Sequence, residues 1–222
     1  LFKGQVVQRI EKTEHGIRVI TQQQEFQANL VISTLPPYLL KDQIEITPSL
    51  SPNLERLLEQ THTWMGESIK IGMAYKEPFW RNPNTSGTVF SNVGPISELY
   101  DHSNYADTRF ALKGFFNPSY FSLTRGQRLE MLLNQLRKYF GTLADSYASY
   151  HETIWADEKY TFAPYTTHML PHQNNGHELY QKPCFNGRFF IAGSETSSDY
   201  PGYMEGAVRS AEFMQALLLQ RI

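Results

Sequence analysis

Apolar and polar positions alternate over residues 5–10 and 16–21, the two-residue period of a half-buried strand, with a polar turn at 13–16 between them. A third strand is expected at 25–26 and a short buried one at 29–34, together an antiparallel meander returning to a central sheet. Pro36 and Pro37 stop that last strand, because proline cannot donate to a ladder and restricts the residue before it. Ser51-Pro52 has the form of a helix start, and Leu54, Leu57 and Leu58 then fall on one face. Residues 66–75 alternate again, with Ile69, Ile71 and Met73 on one side and Ser68, Lys70 and Gly72 on the other. Residues 81–94 are loop-rich, with turns predicted at 84–87 and 92–94, and a strand is expected at 109–116. The clearest helix runs over 124–140. Thr124 and Gln127 have capping-box spacing, Leu129, Leu132, Leu133, Leu136 and Phe140 form the apolar stripe, and Gly141 stands where a C-cap belongs.

A strand at 149–155 and an irregular stretch to 183 follow. The chain then reads as a buried strand (Arg188-Phe189-Phe190-Ile191-Ala192), a small-residue turn (Gly193-Ser194-Glu195-Thr196) and a final helix. Met204, Ala207, Val208, Ala211, Met214 and Leu218 share one face of that helix. Strand, turn and helix start in this order set backbone N–H groups and the positive end of a helix dipole against something electron-rich. The pattern as a whole predicts an α/β protein of mixed (α+β) character, without internal repeats.

Composition narrows the function. At 222 residues and 41% hydrophobic content there is material for a sizeable core, in one domain or two smaller ones. A net charge of -2 argues against a nucleic-acid partner, and no apolar run approaches membrane-spanning length. The single Cys184 excludes an intramolecular disulfide and a zinc cluster. His168, His172 and His177 have no metal-ligand spacing, so no metal is expected, and no G-x-S-x-G nucleophile motif is present. The 13 Tyr, 14 Phe and 3 Trp are mostly the makings of an aromatic core, with some available to wall a planar ligand.

Four stretches, in order, resemble the flavin-containing amine oxidases of the monoamine and polyamine oxidase type. They are Val31-Ile32-Ser33-Thr34-Leu35-Pro36; Ile69-Lys70 with Tyr75-Lys76-Glu77-Pro78-Phe79-Trp80; Trp155-Ala156-Asp157-Glu158-Lys159-Tyr160; and the terminal signature through Gly202-Tyr203-Met204-Glu205-Gly206-Ala207. The resemblance implies a two-domain fold, with residues 1–59 and 158–222 in a discontinuous FAD-binding domain and 60–157 in a mixed-sheet substrate-binding domain. It also implies a G-x-G-x-x-G turn for the FAD pyrophosphate, which this sequence lacks. The chain, opening at Leu1-Phe2, is therefore expected to be the C-terminal portion of a longer protein and unable to hold FAD without the missing N-terminal part.

Residue by residue, the resemblance assigns a catalytic lysine to Lys70, a cation near the flavin that assists reoxidation by dioxygen. Read from alternation alone, Lys70 is equally a lysine on the exposed side of a strand. Tyr165 and Tyr203 match the two aromatic side chains between which the amine passes, and each is otherwise a core tyrosine. Trp155 and Tyr160 wall the flavin or its pocket. Pro36 lies beside the dinucleotide, and Val6 or Val7 offers backbone to the adenine. Gly193, Ser194 and Glu195 approach the pyrophosphate and ribityl chain, while Gly202, Tyr203 and Met204 lead into the helix whose N-terminus faces the flavin. Pro164 stands where several relatives carry the cysteine that tethers FAD, so the implied cofactor is non-covalent FAD.

The implied reaction oxidises the C–N bond of a small-molecule amine to an imine, with dioxygen reduced to hydrogen peroxide. The resemblance allows a homodimer, and a cytoplasmic location is the expectation. Two alternatives stay open: another flavin oxidoreductase of the same fold, such as a carotenoid desaturase or protoporphyrinogen oxidase, and a catalytically silent binding module.

Overall fold

The structure, a computed structural model, describes residues 1–82 and 85–220. In chain order the strands and helices are β1 (Val7–Lys12), β2 (Ile17–Thr21), β3 (Glu25–Ala28), β4 (Val31–Ser33), α1 (Pro37–Gln43), β5 (Glu45–Thr47), α2 (Pro52–Glu59) and β6 (Ile69–Tyr75). There follow β7 (Arg81–Asn82), β8 (Thr85–Ser86), β9 (Val89–Phe90), β10 (Ile96–Asp101), β11 (Phe110–Phe116), α3 (Arg125–Phe140), β12 (Ser149–Ile154), β13 (Phe189–Ile191) and α4 (Met204–Leu219). The chain divides into two compact units, Leu1–Trp64 with Tyr160–Ile222, and Met65–Lys159.

In the first unit β1, β2 and β3 form the antiparallel meander, and β5 joins β1 in parallel to give the order β3-β2-β1-β5. β4 does not extend it. It pairs in parallel with β13, Phe189 opposite Val31 and Ile191 opposite Ser33. The core gathers Ile10 and Ile17 from the meander, Leu40 from α1, Leu54, Leu57 and Leu58 from α2, and Phe189 and Ile191 from β13. Each side chain of this size contributes about 1.5–3 kcal/mol by leaving water. Residues 60–64 pack with this unit: the Thr61 hydroxyl lies 2.6 Å from the Tyr180 hydroxyl, and the His62 N–H donates to the Gln173 carbonyl at 3.1 Å.

The second unit is an antiparallel sheet in the order β12-β6-β11-β10-β9, with α3 against one face. Alternation in β6 is strict: Ile69, Ile71, Met73 and Tyr75 are buried and Lys70 is exposed. α3 begins with the capping box, the Thr124 hydroxyl accepting from the Gln127 N–H and the Gln127 side chain accepting from the Thr124 N–H. It ends at Gly141, whose φ is +65°. Its buried stripe of Leu132 and Leu136 closes the core over β6 and β11. Beside the stripe a buried ion pair joins helix to sheet: Arg128 Nη2 meets Glu152 Oε1 at 2.7 Å, with side chains 4% and 7% exposed. The Tyr150 hydroxyl adds a hydrogen bond to Glu152 at 2.6 Å, and Arg128 also donates to the Phe121 and Leu123 carbonyls.

Several expectations are corrected. The proline pair that ends β4 also opens α1, Pro37 taking the first helical position where its missing N–H costs nothing. β10 was not foreseen: the loop-rich stretch read from the sequence ends at residue 94, and no element was assigned between it and the strand at 109–116. The stretch at 81–94 holds three two-residue strands. The turn expected at 84–87 lies partly outside the described residues. Ser51 precedes α2 without a side-chain cap.

The largest correction concerns α4. Its buried positions are Gly206, Ser210 and Met214, while Met204 is 90% exposed and Ala207, Val208 and Ala211 are also open. The helix packs by a ridge of small residues spaced four apart. A Cβ on Gly206 would stand 2.2 Å from the Tyr200 carbonyl oxygen, so the preceding turn lies directly on the helix backbone. Of the apolar stripe read from the sequence, Met214 is buried and Leu218 packs beside it on Phe190 and Ala192, while Met204, Ala207, Val208 and Ala211 stay open.

Candidate functional site

Parallel pairing brings the C-terminal ends of β4 and β13 out side by side, which is where α/β sheets take their ligands. The ladder continues one step, the Ala192 N–H donating to the Ser33 carbonyl at 2.8 Å. Beyond it the chain turns at Gly193, whose N–H donates to Ser210 Oγ at 3.1 Å, and the Thr196 hydroxyl donates back to the Gly193 carbonyl at 3.0 Å. The turn is thereby tied to the second turn of α4. Glu195 is buried, and its carboxylate accepts from the Ser194 hydroxyl at 2.8 Å.

A cavity of about 760 Å³ opens at this junction, lined by Thr34, Pro36, Gly193, Ser194 and Glu195 on the turn side and by Ala207, Ala211 and Leu218 on the helix side. It therefore brings Pro36, Gly193, Ser194 and Glu195 together. The N-terminus of α4 carries no side-chain cap, so its first-turn N–H groups and dipole are left for an electron-rich group. Ile32 and Thr34 also line a second cavity, of about 460 Å³, that takes in Val6, Val7, Leu39 and the exposed Tyr160. Both cavities are mainly apolar with a few polar groups, the makeup of a cofactor cleft.

Tyr165 and Tyr203 belong to an aromatic cluster in the same unit. The Tyr165 hydroxyl accepts from the Thr63 N–H at 3.0 Å, and its ring meets Tyr38 edge-on at 4.9 Å and His62 at 5.9 Å. Tyr203, half exposed, lies 5.6 Å from the Trp64 ring and 5.7 Å from the His172 ring. His172 itself stacks on Trp64 at 3.9 Å. Burial, and then the neighbouring His172, hold the His62 imidazole below the ordinary histidine range. Gly202 makes the approach of Tyr203 feasible: its φ is +83°, and a Cβ there would sit 3.0 Å from the Trp64 Cβ.

Lys70 and Trp155 lie in the second unit. Lys70 stands on the open side of β6 between Phe115 of β11 and Thr153 of β12, its Nζ 6.0 Å from the Phe115 ring centroid. Trp155 follows β12, its N–H donating to the Ser68 carbonyl at 3.1 Å. Pro164 accepts from the Tyr38 hydroxyl at 2.9 Å. Cys184 is packed on the first unit's core, and burial pushes its thiol up. Among the described residues no three His, Cys, Asp or Glu side chains could share a metal ion, and no helix is long and apolar enough to cross a membrane.

His62, Thr63, Trp64 and His172 were not picked out as site residues from the sequence. They lie far from Tyr165 and Tyr203 along the chain or outside any motif, so only tertiary contact could reveal them. Gln135 and Arg128, the two polar side chains buried along α3, bind backbone and Glu152 and are structural.

Comparison with known proteins gives a consistent picture. The family profile described as flavin containing amine oxidoreductase matches residues 1–213. Amine oxidase [flavin-containing] B of Sus scrofa is 32% identical over 215 residues, which is 93% of this chain and 40% of that protein. The Homo sapiens form is 32% identical over 212 residues, 91% of this chain and 40% of its own length. Among solved structures, cyclohexylamine oxidase from Brevibacterium oxydans IH-35A superimposes with a TM-score of 0.81 at 27% identity, over 95% of this chain and 48% of that one. Putrescine oxidase bound to putrescine gives 0.81 at 26% identity, over 96% and 48%. The chain thus spans somewhat less than half the length of these relatives.

Proposed function

Since the chain belongs to the family of flavin-containing amine oxidoreductases, we propose that it forms the C-terminal portion of an FAD-dependent amine oxidase. Its partner is the N-terminal, dinucleotide-binding portion of the same protein. The observation that carries this reading is the paired ends of β4 and β13, which set the Gly193 turn, Pro36 and the flank of α4 from Ala207 to Leu218 around one cavity.

Residues 1–64 and 160–222 contribute to the FAD-binding domain, and 65–159 form the substrate-binding domain. Gly193, Ser194 and Glu195 would hold the pyrophosphate and ribityl chain, and Gly202, Tyr203 and Met204, at the start of α4, would place the helix dipole where it favours negative charge on the flavin. Val6, Pro36, Trp155 and Tyr160 complete the cofactor's surroundings. When bound, FAD supplies the redox chemistry, taking a hydride equivalent from the carbon that bears nitrogen and passing electrons to dioxygen, with an imine and hydrogen peroxide as products. Tyr165 and Tyr203 present ring faces to the amine, and Lys70 supplies positive charge for the oxygen step.

FAD is held without a covalent bond. Pro164 offers no thiol beside Tyr165, and Cys184, partly buried, packs against the first unit's core instead. The test is the full-length protein. A flavin absorbance spectrum that is lost from the polypeptide on denaturation, with peroxide formed from amines and abolished by Lys70→Met, supports the reading. A colourless product, or a lipophilic substrate turned over without peroxide, overturns it.

A further inference from the structure

Tyr165 and Tyr203 come from stretches almost forty residues apart, yet one tripeptide touches both. The Thr63 N–H donates to the Tyr165 hydroxyl at 3.0 Å and His62 packs on the Tyr165 ring, while the next residue, Trp64, packs on Tyr203. His172 joins the two halves. Its ring is stacked on Trp64 at 3.9 Å with an interplanar angle of 23° and lies nearly parallel to Tyr203, at 5.7 Å and 26°. Its backbone N–H reaches His62 Nδ1 at 3.3 Å, and its φ is +60°, in the left-handed region that few non-glycine residues occupy.

Tyr203, half exposed, is seated against these two rings, with Gly202 permitting the close approach to Trp64. The spacing of Thr63 and Trp64 is fixed by the covalent chain. Both tyrosines are therefore referred to a single continuous segment rather than to two independent loops.

We infer that Trp64 and His172 are positioning residues for Tyr203, and that the segment from His62 to Trp64 is the frame that sets the gap between the two tyrosine rings. The inference deepens the amine oxidase reading and rests on it for its catalytic consequence: a gap of fixed width selects amines by the thickness of the group that passes between the rings. The geometric part stands on contacts alone.

Two measurements test it. In this chain, with tyrosines isotopically labelled, the Tyr203 ring protons carry ring-current shifts from Trp64 that disappear in Trp64→Ala and persist in Trp64→Phe. Unshifted Tyr203 protons in the parent chain overturn the proposal whatever the protein's activity. In the flavin-loaded full-length protein, Trp64→Ala and His172→Ala each lower kcat/KM for an amine about 3- to 10-fold, the equivalent of one lost aromatic pair. Trp64→Phe recovers most of the loss, and flavin content is unchanged. In a Tyr203→Ala background Trp64→Ala has no further effect, because the residue it positions is gone. An undiminished effect of Trp64→Ala in that background, or parent-like kcat/KM in Trp64→Ala, refutes the positioning role. A parent protein that binds flavin but oxidises no amine refutes the enzyme reading and leaves the ring-current result to decide the frame.

Discussion

The two units complete their cores in different ways. In the second, β6 lies between β11 and β12, every other side chain points inward, and the Leu132–Leu136 stripe of α3 covers what the sheet presents. Its large exposed apolar residues, Phe90, Val93, Tyr105, Phe121, Tyr139 and Leu143, are distributed over loops, short edges and the C-terminal end of α3. In the first, β4 and β13 make a sheet of only two strands, and α4 buries three small or flexible residues while Met204, Val208, Phe213 and Leu219 stay open along it. Met204, Val208 and Leu219 fall on one exposed side of the helix that walls a cavity, a surface shaped to be covered, and scattered exposed residues are not. The difference teaches that a unit rich in chemistry need not be the unit that is self-contained. The cavity beside the Gly193 turn lies in the less closed of the two units.

The comparison breaks most decisively at the buried ion pair. Glu152→Ala leaves Arg128 charged and unpaired beneath α3, and the second unit should lose about 3–5 kcal/mol in chemical denaturation. Hydrogen exchange should report the loss in β6, β11 and β12. If Glu152→Ala is neutral, the claim that this unit is tightly closed fails. The same pair gives a pH signature. Burial alone would raise the Glu152 carboxyl, but the hydrogen bonds from Arg128 and Tyr150 outweigh it and hold the group below its ordinary value. Its contribution is then fully present above the unfolded carboxylate pKa of about 4.3 and is lost as pH falls through the lower folded value. Stability measured from pH 6 to pH 3 should decline in the parent chain and decline less steeply in Glu152→Gln.

A smaller effect tests the first unit. Gly206→Ala places a methyl against the Tyr200 carbonyl, and forcing the turn away from α4 should cost about 1–3 kcal/mol. Exchange should rise in α4 and at the Gly193 turn through the lost Ser210 contact, with α3 unaffected. Were Gly206→Ala to stabilise the chain, the close approach of turn and helix would be wrong. The smallest effect sharpens the contrast at a helix start. Thr124→Ala removes the capping box and should cost about 1 kcal/mol. At α4 no side-chain cap exists to lose, so Tyr203→Ala should leave helix stability nearly unchanged while removing a ring of the aromatic cluster. Thermal melts of the two variants, side by side, decide the point.

The amino-acid sequence by itself determined the elements whose signals are local. The strand at β6 follows from alternation of Ile69, Ile71 and Met73 with Lys70 and Gly72. The helix at α3 follows from Thr124, Gln127, the leucine stripe and Gly141, because period and capping are properties of neighbouring residues. The Gly193 turn and the glycine before Tyr203 were legible for the same reason. Only the tertiary structure decided which side of α4 is buried, since Val208 and Ala211 are as apolar as Met214 and packing chose the face that Gly206 and Ser210 leave narrow. It alone decided that β4 leaves the meander to pair with β13, a contact across more than 150 residues for which no local pattern carries information. It also placed Trp64 and His172 against Tyr203. Ring contacts depend on where three distant backbones are brought together, and that is fixed by the packed core rather than by the residues that touch.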